Sequence, residues 1–151
     1  MKKSLLLVSL ALITFMGLLI VSIKEPIMPI AQETLFSPRI FAYKDWQSLG
    51  LQLHKDEQLH IQAAGTWLYT PDHYHGPEGS PRYRAPGFYP LPHVASGALI
   101  GRIGKDGEPF YVGRAVTRQV DKPGLLYLRI DDDILSDNDG WVRVDITVSN
   151  E

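Results

Sequence analysis

One stretch near the carboxyl end of the chain indicates the fold: residues 125–148 read LLYLRIDDDILSDNDGWVRVDITV. Residues 125–130 and 141–148 are rich in apolar and β-branched side chains, and in the second run these alternate with polar ones. Alternation of apolar and polar residues is typical of a half-buried β-strand. The stretch therefore predicts two strands joined by an acidic loop, residues 131–140.

The acidic loop contains five aspartates and one asparagine within ten residues. Calcium takes about six to eight oxygen ligands from carboxylates, amides and carbonyls, and such a loop offers many of them together. It has no histidine or cysteine, which disfavours zinc. The EF-hand is excluded, because matching Gly140 to its glycine puts Leu135 first and Ile146 last. The composition is compatible with a calcium loop and with a solvated acidic turn.

Further strand patterns lie in residues 49–54, 59–64, 98–103, 110–112 and 116–120, with glycine and proline between them. Short strands separated by such turns are typical of all-β sandwiches. The last strand is expected to turn one face to the core, as is Trp67; that face comprises Val142, Val144, Ile146 and Val148. Arg102 and Arg129 lie within strand patterns, where surface positions are the default and burial beside the acidic loop is the alternative.

Residues 70–96 form a long segment with no strand pattern, rich in proline and containing four tyrosines or phenylalanines and three histidines. Loops of this length are usually binding loops or disordered, and the aromatic content argues against disorder. We expect Tyr74, His75 and His93 to contact a ligand. In the alternative, aromatic residues of the loop, above all Phe88 and Tyr89, fold back onto the sandwich.

The amino-terminal end predicts an export segment. Lys2 and Lys3 precede an uncharged apolar run of 19 residues, 5–23, which as a helix would span about 28 Å, close to the ~30 Å of a bilayer core. Residues 1–24 are therefore interpreted as a signal anchor or signal peptide, and residues 25–41, with three prolines, as a linker. The expected location is anchored in the inner membrane with a periplasmic domain, or secreted.

The length of the remaining stretch, residues 42–151, predicts one domain. The chain has no cysteine, so disulfides and thiol chemistry are excluded. Its formal net charge of −2 and the lack of a basic stripe argue against nucleic acid as a partner. The sequence lacks a nucleophile elbow and an HExxH motif, and we expect a protein that is not an enzyme.

Several motifs have the order and spacing of a known family: residues 63–69 with Pro71 and the run 76–79, the run 97–100 with Ile103-Gly104, and the loop ending Asp137-Asn138-x-Gly140. Over residues 42–148 the chain resembles the LecA-type (PA-I-like) calcium-dependent galactophilic lectins of bacteria. The resemblance implies a jelly-roll β-sandwich of about eight strands, here preceded by the amino-terminal helix.

The resemblance also implies a calcium ion that bridges protein and sugar. The implied ligands are the Tyr69 carbonyl, the Asp132 carboxylate (with Asp131 and Asp133 as alternatives), the Ile134 or Leu135 carbonyl, and the side chains of Asp137 and Asn138. Sugar would contact Tyr69, Asp132 and Asn138 beside the loop residues Tyr74, His75 and His93. The family's His-Pro-Asp-Gln-Gly run is replaced by residues 84–88, RAPGF, so a galactose preference does not carry over.

The expected function is therefore calcium-dependent carbohydrate binding. The alternative is a structural or protein-interaction module of the cell envelope in which calcium only stabilises the loop. An anchored domain that faces the envelope can serve either role.

Overall fold

The computed structural model describes residues 34–150. The predicted signal anchor, residues 1–24, and residues 25–33 of the predicted linker lie outside the described residues. In residues 34–150 the chain forms ten β-strands and one turn of 3-10 helix, Leu135–Asp137, which confirms the all-β prediction. This part of the chain contains no helix long and apolar enough to cross a membrane.

The strands, in chain order, are β1 (Thr34–Phe36), β2 (Arg39–Phe41), β3 (Gln47–Leu53), β4 (Gln58–Leu68), β5 (Tyr74–His75), β6 (Leu99–Ile103), β7 (Phe110–Tyr111), β8 (Ala115–Gln119), β9 (Gly124–Ile130) and β10 (Asp139–Ser149). They form two antiparallel sheets. The first sheet contains β1, β2, β4, β5, β8 and β10, and the second has the order β3-β9-β6-β7.

The first sheet is built around β4 and β10, which pair along eleven residues from Asp139 opposite Leu68 to Ser149 opposite Gln58. Strands β1 and β2 both pair with the other edge of β10. Strands β5 and β8 both pair with the other edge of β4. The sheet is therefore four strands wide, with each outer position shared by two short strands.

The core lies between the two sheets and is apolar. The expected inward face of β10 is confirmed, since Val142, Val144, Ile146 and Val148 are all buried. Trp67 is also fully buried, as predicted. From the second sheet, β9 contributes Leu126, Leu128 and Ile130 to the same core cluster. In β10 the period-two pattern thus separates a buried face from a more exposed one.

Two expectations about the strands need correction. The segment interpreted as a linker, residues 25–41, includes β1 and β2, and Ile40 is fully buried opposite Val142. The folded domain therefore begins before residue 42. The strands number ten in the described part rather than about eight, because three-residue and two-residue strands are too short to show alternation.

Candidate functional site

Three segments meet at one end of the sandwich, and Gly97 joins them. Its carbonyl accepts a hydrogen bond from Trp67 Nε1 at 3.0 Å, at the end of β4. Its N–H donates to the Asp131 carbonyl at 2.8 Å, and the Asp131 N–H donates to the Ala98 carbonyl at 2.8 Å. Gly97, directly after the long loop (residues 70–96), thus bonds to Asp131, at the start of the acidic loop, and to Trp67, at the end of β4.

The acidic loop folds around the Asp132 carboxylate, which is almost completely buried. Asp132 Oδ1 accepts the backbone N–H groups of Asp133 at 2.8 Å and Ile134 at 3.4 Å. Asn138 Nδ2 donates one hydrogen bond to Asp132 Oδ2 at 2.8 Å and another to the Ile134 carbonyl at 3.4 Å. Two oxygens from the first half of the loop therefore converge on the Asn138 side chain.

The chain that follows β4 closes this cluster from the other side. The Thr70 N–H donates to Asn138 Oδ1 at 3.2 Å, and the Thr70 hydroxyl donates to the Asp137 carbonyl at 2.9 Å. Thr70 follows Tyr69, whose side chain is buried in the core cluster. The structure therefore brings Asp132 and Ile134 together at the Asn138 side chain, to which the neighbour of Tyr69 is also bonded.

The remaining implied ligands are placed differently. The Leu135 carbonyl accepts the Asn138 N–H at 3.4 Å, which leaves Ile134 as the loop carbonyl that points to the Asn138 side chain. The Asp137 side chain is exposed, and so is Asp133. Of the three successive aspartates, Asp132 is the one that bonds to the Asn138 side chain.

Arg129 links the start of the acidic loop to β9 and to Asp45. This buried side chain donates to the Ile130 carbonyl at 2.9 Å, to the Asp132 carbonyl and to the Asp45 carboxylate. Burial lowers the pKa of Arg129, and the nearby Asp45 and Asp131 carboxylates oppose that shift. The surface default for Arg129 is therefore wrong, because three loop and backbone oxygens compensate its charge.

Two buried aspartate side chains, Asp131 and Asp132, lie beside this arginine. Asp131 Oδ1 accepts the Leu91 N–H at 3.0 Å, whereas its Oδ2 has no hydrogen-bond partner in residues 34–150. Burial raises the pKa of Asp131 to about 7, an effect that Leu91 and Arg129 reduce and the Asp132 carboxylate increases. Burial likewise raises the pKa of Asp132, against the hydrogen bond from Asn138. Burial therefore disfavours the ionised form of both carboxyl groups, and a bound cation would favour it.

The aromatic residues of the long loop divide between core and solvent. The Tyr89 hydroxyl lies 3.1 Å from the Tyr69 hydroxyl, and the Tyr89 ring packs against the core cluster. Burial, followed by the Tyr69 hydroxyl and the Asp132 carboxylate, raises the pKa of Tyr89. Phe88, by contrast, is 72% exposed. The fold-back alternative thus describes Tyr89, and Phe88 remains free to contact a ligand.

The three loop residues expected to contact a ligand do not lie together. Tyr74 is 57% exposed, and its hydroxyl lies 3.4 Å from Asp139 Oδ2 at the end of the acidic loop. The His75 ring packs on Tyr69, with the ring centroids 5.9 Å apart. Both line a depression of about 170 Å³. His93 instead lines a separate depression with Arg84 and Tyr111.

The cluster fits a hard divalent cation by the chemistry of its donors. Its groups are the Asp132 carboxylate, the Ile134 carbonyl and the Asn138 amide, and the amide nitrogen now lies where two oxygens converge. Rotating that amide would turn its oxygen to the same point. No group of three or more His, Cys, Asp or Glu side chains suited to a metal occurs in residues 34–150. A cation here would therefore depend on carbonyl and amide oxygens beside one carboxylate.

Two residues of the site have no sequence signal. Thr70 and Leu91 contact the acidic loop from segments that show no periodicity. Arg129 interrupts an otherwise apolar strand two residues before the first of three aspartates. This position beside an excess of negative charge is the sequence signal for its role as a partner of the acidic loop.

A comparison with solved structures supports the fold. The N-terminal domain of EclA, a PllA-like lectin, matches with a TM-score of 0.59 and 23% sequence identity, over 76% of this chain and 97% of that domain. The chain has the fold of a lectin domain. No protein-family model matches it, and no curated protein matches it.

Proposed function

We propose that the chain is a carbohydrate-binding protein that binds sugar hydroxyls through a calcium ion held by the acidic loop. The observation that carries this proposal is the convergence of Asp132 Oδ2 and the Ile134 carbonyl on the Asn138 side chain, with the buried carboxyl group of Asp131 beside it. Calcium supplies a Lewis-acidic centre whose open positions accept vicinal hydroxyls. The lectin fold of the matched domain supports the same function.

The protein's own residues would hold and orient the ion and the sugar. Asp132 and Asn138 supply side-chain oxygens, and Ile134 supplies a carbonyl. The Tyr69 carbonyl belongs to the peptide group that Tyr69 shares with Thr70, and the N–H of that group donates to Asn138. The Tyr69 carbonyl is therefore near the Asn138 side chain. Arg129 keeps the Asp132 carbonyl turned inward. Tyr74 and Phe88 leave exposed rings near this end, and such rings stack on the apolar faces of sugars.

Calcium dependence is tested by thermal unfolding of the full chain, kept in mild non-ionic detergent because of its apolar run, residues 5–23. An ion bound only by the folded state stabilises it by about 2.7 kcal/mol at a hundredfold excess over Kd. We expect millimolar calcium to raise the melting temperature of chelated protein. Asp132→Asn should remove that gain.

Asp133→Asn is the matched control, because it makes the same chemical change on the exposed neighbouring aspartate. It should keep the calcium response. An unchanged melting temperature of the parent protein on adding calcium, or an equal loss in both variants, would contradict the proposed calcium site.

Sugar binding is tested by calorimetric titration of the calcium-loaded protein with a panel of monosaccharides. We expect binding of at least one sugar with vicinal hydroxyls, abolished by chelation. The panel is not limited to galactose, because residues 84–88 lack the His-Pro-Asp-Gln-Gly motif of the LecA-type lectins. Calcium stabilisation without sugar binding would favour the structural or protein-interaction module instead.

Two further features belong to the same proposal. The connection of the two sheets is that of a jelly roll, as the resemblance to LecA-type lectins implies. The domain is held at the outer side of the inner membrane by residues 1–24, or is released by cleavage there, and so meets glycans of the envelope or of the surroundings. Fractionation of cells that express the full chain distinguishes the anchored form from the secreted one.

A further inference from the structure

The outer face of the first sheet is open across its two central strands. Trp141 and Arg143 on β10 are exposed, and so are their direct partners on β4, Thr66 and Ala64. Strands β4 and β10 lie in the middle of the sheet. Arg39 of β2 lies over the Trp141 ring, and Thr66, Ala64 and Arg143 are exposed beside it.

This face places two arginines directly opposite each other. Arg143 on β10 pairs in register with Arg39 on β2. Like charges directly opposite on neighbouring strands destabilise a sheet. Arg143 has one carboxylate nearby, Asp145 at 3.6 Å, and that carboxylate also accepts the Ser37 hydroxyl at 2.7 Å. Arg39 pairs with no carboxylate in the described part of the chain.

A depression of about 380 Å³ adjoins Arg143. Its lining includes the guanidinium groups of Arg143 and Arg114, the small side chain of Ala64 and the carboxyl group of Asp145. Arg114 also donates to Glu78 at 2.8 Å. The depression is therefore lined by two guanidinium groups, each of which has one carboxylate nearby.

An aromatic platform lies at the other side of Arg143. Trp141 is 40% exposed, and the Arg39 guanidinium lies over its ring at 4.3 Å from the centroid. Trp141 and Arg143 are two residues apart on one strand, hence about 7 Å along it. A sugar packed beside Trp141 would place a neighbouring charged substituent at Arg39 and Arg143, whose planar forks bind carboxylate and sulfate with two hydrogen bonds.

We propose that this outer face is a second binding site, for an acidic polysaccharide with carboxylate or sulfate groups. This second site is separate from the proposed calcium site around Asp132 and Asn138, and it needs no metal. The negative formal charge of the chain, −2, disfavours a surface that binds every polyanion. Bound anionic substituents would offset the repulsion between Arg39 and Arg143.

The test uses the full chain in mild detergent with chelator present, so that the calcium site plays no part. Binding to immobilised polygalacturonate, dextran sulfate, unmodified dextran and single-stranded DNA is compared at low salt. We expect one of the two acidic polysaccharides to bind, which also separates carboxylate from sulfate, and dextran and DNA to bind at least tenfold more weakly. Equal binding of dextran or of DNA would overturn the proposal.

The variant Arg39→Gln with Arg143→Gln should lower affinity for the acidic polysaccharide roughly tenfold or more. Lys105→Gln with Lys122→Gln removes the same charge from exposed positions on turns elsewhere and should change affinity less than about twofold. Equal losses in both variants would show a bulk-charge effect and overturn the site.

Melting temperature separates binding from structure. Since the two arginines repel, their replacement should leave the melting temperature unchanged or raise it. Should the double variant fold poorly, Arg143→Lys keeps the charge without the planar fork and should still weaken binding. Unchanged affinity in Arg143→Lys and in the double variant would refute the proposal, whatever the calcium experiments show.

Discussion

The β4–β10 pair and the loop end of the sandwich are built by different means. Along β10 every inward side chain from Val142 to Val148 is apolar and buried. The buried polar and charged residues of the described chain all belong to the loop end or lead into it: Ser80, Ser96, Arg129, Asp131, Asp132 and Asn138. One region is thus held by apolar burial, and the other by hydrogen bonds between segments distant in sequence.

The difference separates stability from function. Burying apolar surface stabilises wherever it occurs, at roughly 25 cal/mol per Å². Burying carboxylates and an amide costs free energy unless each finds a partner. At the loop end the partners come from Arg129, Thr70 and Leu91, and a carboxylate oxygen of Asp131 has none in residues 34–150. Such polar burial is typical of a ligand site.

The largest effect is expected in the apolar region. Val144→Asp should prevent folding, because an unpaired buried carboxylate costs several kcal/mol, comparable to the ~5–15 kcal/mol stability of a whole domain. Far-UV circular dichroism and thermal unfolding measure it. Thr147→Asp, on the outer phase of the same strand, should fold normally. A folded Val144→Asp variant would show that the strand tolerates polar burial as the loop end does.

Arg129→Met should produce the next largest loss, about 3 kcal/mol of unfolding free energy. It leaves the Asp132 carbonyl without its donor and Asp131 without a nearby positive charge. Arg129→Lys, which retains the charge but not the fork, should fall between Met and wild type. Denaturant unfolding at constant m-value measures all three, and a Met variant within about 0.5 kcal/mol of wild type would contradict the role of Arg129.

Gly97→Ala should cost about 1–3 kcal/mol. Gly97 has a φ of +70°, and an added Cβ would lie 2.7 Å from Tyr69 Cγ and 2.9 Å from His75 Cε1. Gly87→Ala is the control, since nothing lies within 4 Å of its added Cβ. Thermal unfolding of both variants tests whether the loop end is as closely packed as the core. Equal melting temperatures would show that it is not.

The smallest effect on stability is expected for Tyr74→Ala, because this ring is mainly exposed. Its loss should leave the melting temperature and calcium affinity nearly unchanged and weaken sugar binding by about 1–3 kcal/mol, if the ring contacts sugar. Tyr111→Ala, an exposed tyrosine in the second sheet, is the control and should not affect sugar binding. A lower melting temperature with unchanged sugar affinity would assign Tyr74 to structure.

The sequence by itself determined the regular part of the protein. Alternation in residues 141–148 is local information, because side-chain direction along a strand follows from the period of two, and burial follows from apolarity. It therefore predicted the buried face of β10, the position of Trp67 and the all-β class. It failed for β1 and β2, since three residues are too few to show a period.

Only the tertiary structure decided the loop end. Asp131, Asp132 and Asp133 are the same residue type in sequence, and their burial differs because Leu91, Arg129 and Asn138 reach two of them from elsewhere in the chain. Likewise, the register between β2 and β10 is what sets Arg39 opposite Arg143. Hydrogen bonds and charge pairs act over a few ångströms in space, whereas separation along the chain does not specify them.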